Sequence, residues 1–244
     1  MPRHSRLDAR PGAVTASAPV GLQPLELGGA GAQDSYLYVP ASYDRTRPTP
    51  FTLMLHGSGG HAHHGLEVLQ HLSEEAGFIL AGPASSDYTW DVILSRHGAA
   101  AVVNGALEHV FARYSVDPAH VAIAGFSDGA SRALSLGLAN GDLFTHVIAF
   151  SPGFVLISEE IGRPRVLISH GTRDEVQPVA ECSRRILAQT ERMDLDVEYI
   201  EFEAGHRIPP DVARYAVDWF MESPGSSRER HPHRFPESRV PREG

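Results

Sequence analysis

Val121-Ala122-Ile123-Ala124-Gly125-Phe126-Ser127-Asp128-Gly129-Ala130 is the stretch from which the architecture can be read. Val121 to Gly125 is a short apolar run of the kind a fully buried strand uses, and Ala130 to Ala139 reads as a helix. Between them stands Gly-x-Ser-x-Gly, and a strand, this pentapeptide and a helix in succession describe a nucleophile elbow. Such a turn is tight enough to strain the serine backbone. Flanking glycines avoid the collision that a Cβ would make with the neighbouring strand and helix. The strain raises the Ser127 hydroxyl above the sheet edge.

Outward from this stretch the chain alternates strands and helices. Ser35 to Val39 alternates in the manner of a strand, and Phe51 to His56 is a buried strand running into the loop Gly57-Ser58-Gly59-Gly60. His64 to Ala76 places Leu66, Leu69 and Leu72 on one helical face, and Phe78 to Ala81 is a short strand. Ala100, Val103, Leu107, Val110, Phe111 and Tyr114 follow helical spacing. Asp117-Pro118 predicts a turn before the Val121 strand. Two more buried strands, His146 to Phe150 and Arg165 to Ser169, precede a helix from Val176 to Gln189, a strand from Leu195 to Phe202 and a last helix from Pro209 to Phe220. Continuous apolar strands between amphipathic helices predict an α/β fold with a mostly parallel central sheet and helices on both faces. Sites in such sheets lie beyond the carboxyl ends of the strands.

The chain has 244 residues, 42% of them hydrophobic, with a net charge of −9. That length suits one domain, and the negative charge disfavours a nucleic acid partner. A single cysteine, Cys182, rules out an internal disulfide framework and reads as a buried structural thiol on a helix face. The N-terminal residues lack the apolar core of a signal peptide, and no apolar run is long enough to span a bilayer, so the expected location is the cytoplasm. Residues 1–20 and 223–244, rich in Pro, Ser and Arg, are expected to be disordered tails flanking a catalytic domain over residues 21–222.

Serine needs a base to remove its proton, and the base needs a carboxylate to orient it. When the serine sits on a strand–helix elbow, acid and histidine follow it in that order. Asp174 lies in His170-Gly171-Thr172-Arg173-Asp174-Glu175, just after a strand, and His206 lies in Glu203-Ala204-Gly205-His206, between the next strand and the last helix. Ser127, Asp174 and His206 are therefore the expected catalytic residues. The oxyanion of a tetrahedral intermediate requires backbone donors. The Asp128 amide should supply one and the Ser58 amide the other, with Gly57 next in line. The Asp128 side chain reads either as a favourable charge at a helix N-terminus, the preferred reading, or as a substrate-selecting group. Trp90 reads equally as a wall of the substrate pocket or as a packed aromatic. The histidines His56, His61, His63 and His64 have no companion ligand motif, so no metal is expected.

The motifs His56-Gly57-Ser58-Gly59-Gly60, Gly125 to Gly129, His170 to Asp174 and Gly205-His206 resemble those of the α/β-hydrolase superfamily. Within it the chain is similar to the small bacterial phospholipase/carboxylesterase and polyhydroxybutyrate-depolymerase-like esterases, over about residues 30–222. The resemblance implies cofactor-free hydrolysis of a small-molecule ester or thioester through an acyl-enzyme. Thioesterase and acyltransferase chemistry use the same three residues, and a non-catalytic scaffold would keep the same fold. The chain departs from its relatives at Asp128, where Asn, Gln or Gly is common. The short connection from Ser151 to Arg165 leaves no room for a large cap domain. Nothing in the sequence sets the oligomeric state.

Overall fold

The computed structural model of the chain describes residues 6–14, 19–25, 27, 35–85, 89–90, 99–157, 160–222 and 234–235. Nine strands among these residues form one sheet in the order β1-β2-β4-β3-β5-β6-β7-β8-β9. They are β1 (Gly21–Pro24), β2 (Tyr36–Val39), β3 (Thr49–Leu55), β4 (Ile79–Gly82), β5 (Val116–Phe126), β6 (His146–Phe150), β7 (Arg165–Gly171), β8 (Val197–Phe202) and β9 (Arg234–Phe235). From β4 to β9 all neighbours are parallel, while β2 runs antiparallel to β4 and β1 antiparallel to β2. The helices are α1 (Ala62–Ala76), α2 (Ala99–Arg113), α3 (Asp128–Ala139), α4 (Ser183–Glu191) and α5 (Pro210–Phe220).

Successive strand residues point to opposite faces, so each apolar strand feeds two cores. Leu53, Leu55, Ile123, Val147, Ala149, Val166 and Ile168 pack in one core with residues of α2 and α3 and Ile186 of α4. Their neighbours Met54, Ala122, Ala124, Ile148, Phe150 and Leu167 pack in the other with α1 and α5. This is why the inner strands read as unbroken apolar runs: both faces are dry. The predicted α/β-hydrolase architecture, with helices on both faces, is the one observed. Between β6 and β7 the described residues hold no helix, so no large cap is built there.

Several boundaries differ from the periodicity. The helix expected from Val176 begins at Ser183 instead. Asp174 Oδ1 captures the amides of Val176 and Gln177, and Pro178 follows, so the intervening residues form turns. Cys182 consequently occupies the helix N-cap rather than a mid-helix position, although it is buried as expected. Asp117-Pro118 lies within β5, where the β3–β5 register shifts between Thr49 and Phe51.

The N-terminal residues also depart from expectation. Within the segment read as a disordered tail, Leu7 and Ala9 are buried in the core. Arg6 makes a two-bond contact with the Asp142 carboxylate and also donates to the Ala139 carbonyl. The Leu7 amide donates to the Asn140 side chain, and the Asp8 and Ala9 amides share the Asn104 side chain. A short polar and apolar arm is thus ordered by Asn104 of α2 and by the end of α3. Most of the expected C-terminal tail lies outside the described residues; Arg234–Phe235 pair with β8.

Candidate active site

β5 ends at Phe126, and Ser127 takes φ 56° and ψ −119° before α3 starts at Asp128. Positive φ is unfavourable for a residue with a Cβ. The conformation is held because the Ser127 amide donates to the Phe150 carbonyl at 2.9 Å and the Ser127 carbonyl accepts from the Ser131 amide at 3.1 Å. A Cβ on Gly125 would strike the backbone of Gly129, and one on Gly129 would strike the carbonyls of Leu55 and His56. Both glycines of the motif are therefore required by the close approach of β3, β5 and α3.

Asp174 lies three residues beyond β7, and His206 lies in the bend after β8. His206 Nδ1 and Asp174 Oδ2 are 2.6 Å apart, and the carboxylate is fully buried. The other oxygen, Oδ1, accepts from the Val176 and Gln177 amides at 2.9 and 2.8 Å. Burial by itself would raise the carboxyl pKa, but the Gln177 amide and the His206 bond outweigh it and hold Asp174 below the ordinary carboxylate value. The His206 ring packs on Phe126, with ring centroids 4.6 Å apart, which brings the histidine beside the elbow. The three expected residues are thus gathered at the carboxyl ends of β5, β7 and β8. Among the described residues no hydrogen bond joins Ser127 to His206. Bonds of this kind commonly tighten only with substrate in place.

A Cβ on Gly57 would stand 3.3 Å from the Ser127 Cβ, so the loop after β3 closes directly on the elbow. Ser58 itself is exposed in the turn closed by the bond from the Gly60 amide to the Gly57 carbonyl. Neither the Ser58 nor the Asp128 amide is bonded to an acceptor among the described residues.

Trp90 is 2% exposed and belongs to the packing, not to an open wall. Its indole N–H donates to the His56 carbonyl at 2.8 Å, its amide donates to Asp128 Oδ2 at 2.8 Å, and its carbonyl accepts from the Arg132 guanidinium. The Asp128 side chain thereby fastens Trp90 to the start of α3. His56 completes this support. Its Nδ1 faces the Gly57 carbonyl at 2.8 Å and its Nε2 accepts from the Ser85 amide at 3.0 Å. Burial lowers the His56 pKa below its ordinary value, against the opposing pull of the Gly57 carbonyl. The remaining histidines of that cluster are engaged separately. His63 meets Glu67 at 2.9 Å, and His61 and His64 cap α1. Among the described residues no group of three His, Cys, Asp or Glu side chains is placed to hold a metal ion.

Sequence reasoning missed His170. It is buried at the end of β7, with Nε2 2.6 Å from the Gln177 carbonyl and 3.3 Å from Asp174 Oδ2, and with Nδ1 bonded to the Ser183 hydroxyl. Its place four residues before Asp174, at the end of a strand built on Val166, Leu167 and Ile168, is the signal that could have found it.

Residues 103–207 match the model of the esterase family described as "Putative esterase", a span that contains Ser127, Asp174 and His206. A comparison with curated protein sequences finds no match. Among solved structures, esterase PE8 is 25% identical with a TM-score of 0.60, over 84% of this chain and 98% of that one. The fluorophosphonate-binding serine hydrolase F of Staphylococcus aureus is 13% identical with a TM-score of 0.69, over 83% and 98%. A phospholipase/carboxylesterase from Dyadobacter fermentans is 20% identical with a TM-score of 0.59, over 80% and 99%.

Proposed function

We propose that this chain is a carboxylic ester hydrolase of the α/β-hydrolase superfamily and cleaves small soluble esters through an acyl-enzyme on Ser127. His206 Nε2 takes the hydroxyl proton as Ser127 Oγ attacks the ester carbonyl. The resulting oxyanion is met by the amides of Asp128 and Ser58. Collapse expels the alcohol, which receives the proton from His206 and leaves the acyl group on Ser127. Water then repeats the sequence with His206 as base and releases the acid. Asp174 holds the Nδ1–H tautomer and stabilises the imidazolium formed in each half.

The observation that carries this reading is the 2.6 Å contact between His206 Nδ1 and a buried, ionised Asp174, with the ring packed against the residue preceding Ser127. The exposed Ser58-Gly59 turn, and the lack of a helix among the described residues between β6 and β7, favour small substrates that reach the site from solution. The unbonded amides of Ser58 and Asp128 support their assignment to the oxyanion, where each donor contributes about 3 kcal/mol.

The test is labelling with a fluorophosphonate, followed by peptide mapping. The expected result is a single adduct on Ser127, with Ser127→Ala lacking both the adduct and turnover of a nitrophenyl ester while melting at the wild-type temperature. A folded wild-type protein that neither takes the label nor turns over esters is a binding scaffold, and the reading fails. Preferred transfer of the acyl group to an added alcohol, amine or thiol over water would make it an acyltransferase.

A further inference from the structure

Among the described residues five large apolar side chains are exposed: Val20, Leu22, Phe154, Leu156 and Val176. The first two lie at the sheet edge, just before and within β1. The other three stand on the two loops that follow β6 and β7, the strands whose ends flank the candidate active site. Val176 is two residues from Asp174, and its amide donates to that carboxylate. Phe154 is reached from Ser127 through one side chain. The Ser131 hydroxyl donates to the Ser127 carbonyl at 3.2 Å and accepts from the Gly153 amide at 2.9 Å and the Phe154 amide at 3.3 Å.

These side chains are held outward by the loop's own anchoring. Along residues 154–157 the exposure alternates: Phe154 and Leu156 face out, while Val155 is buried in the core and Ile157 packs against it. The Leu156 amide is fixed to the Ser135 hydroxyl at 3.0 Å, one helical turn beyond Ser131. The two loops also meet. A Cβ on Gly153 would overlap the Gln177 side chain, and Gln177 is the residue whose amide binds Asp174. Apolar surface pinned on two loops that meet beside Asp174 lowers the free energy of a substrate that covers it.

We infer that Phe154, Leu156 and Val176 form an apolar shelf that takes the alkyl or aryl part of the ester. The inference rests on the esterase reading given above. Burial of a methylene corresponds to up to about fourfold in affinity. Two ester series separate the sources of that group from the catalytic assignment: acyl chains of rising length on nitrophenol, and acetates of alcohols of rising length. On the wild type, kcat/KM should rise by about twofold to fourfold per methylene in one series, which identifies whether acid or alcohol lies on the shelf. In the double variant Phe154→Ser/Leu156→Ser that slope should flatten, while the fluorophosphonate still labels Ser127 to completion. Val176→Ser should flatten it in part. A flat wild-type profile in both series, with Ser127 still labelled, overturns the shelf and spares the esterase reading. So does an unchanged slope in the double variant. A wild-type dimer that the double variant converts to a monomer shows a self-association surface, and overturns the shelf as a substrate site. Loss of labelling in the wild type overturns both readings.

Discussion

His170 stands against Asp174, with its Nε2 3.3 Å from the carboxylate oxygen that also binds His206. The same Nε2 is 2.6 Å from the Gln177 carbonyl, which can only accept, so this nitrogen carries the proton. Nδ1 is then the acceptor for the Ser183 hydroxyl. Burial lowers the His170 pKa below its ordinary value, against the pull of the Gln177 carbonyl and Asp174, and keeps the ring neutral. His170 thus links α4 to the turn that presents the acid. Its removal should misplace Asp174 without touching substrate. For His170→Leu we expect kcat to fall by about 10- to 100-fold with KM little changed, from loss of bonds each worth about 1–3 kcal/mol when a buried partner is orphaned. His170→Gln, which keeps a donor, should recover part of the loss. A kcat unchanged in His170→Leu would deny the positioning role.

Trp90 makes a second long-range prediction. Its indole bond to the His56 carbonyl and its amide bond to Asp128 join Trp90 to the loop after β3 and to the elbow. Trp90→Phe should keep most of the apolar packing and lose one buried hydrogen bond, costing about 1–3 kcal/mol of stability. Asp128→Asn, which still offers a carbonyl oxygen to the Trp90 amide, should retain most activity, whereas Asp128→Ala should not. Denaturant unfolding and steady-state kinetics on the three variants check this. Equal activity in the two Asp128 variants would show that the bond to Trp90 is dispensable.

The far end of the sheet sets an acid limit. His146 is buried beneath Trp219 and Phe220 and stacks on His120, and burial, with the nearby charge of Arg165, lowers its pKa to about 3. In the unfolded chain an ordinary histidine protonates near pH 6.5. Between these values the unfolded state binds the extra proton, so this contribution is fully present above pH 6.5 and is lost as pH falls towards 3. The slope approaches about 1.4 kcal/mol per pH unit. Urea unfolding between pH 7 and 4 should show the decline, and His146→Phe should make it shallower. An identical pH slope in the variant would remove His146 from the account.

The elbow and the order of Ser127, Asp174 and His206 were legible in the sequence because each depends on local signals. A glycine pair, an apolar run and the residue just past a strand end are features of neighbours in the chain. The strand alternation that feeds both cores is equally local, since side-chain direction has a period of two.

What the sequence could not disclose were pairings between distant polar residues. Leu7 is buried because Asn140, 133 positions away, accepts its amide and Arg6 finds Asp142. Nothing in a Pro- and Ala-rich start signals those partners. The turns at Val176–Cys182 replaced about the first two turns of the expected helix because the Asp174 carboxylate had already captured two of its amides. Burial of Trp90, the contact of His170 with Asp174, and the anchoring of Phe154 by Ser131 have the same origin. Periodicity reports which face of an element is dry. Which hydrogen-bond donor reaches which acceptor is decided only when the sheet has brought the ends of its strands together.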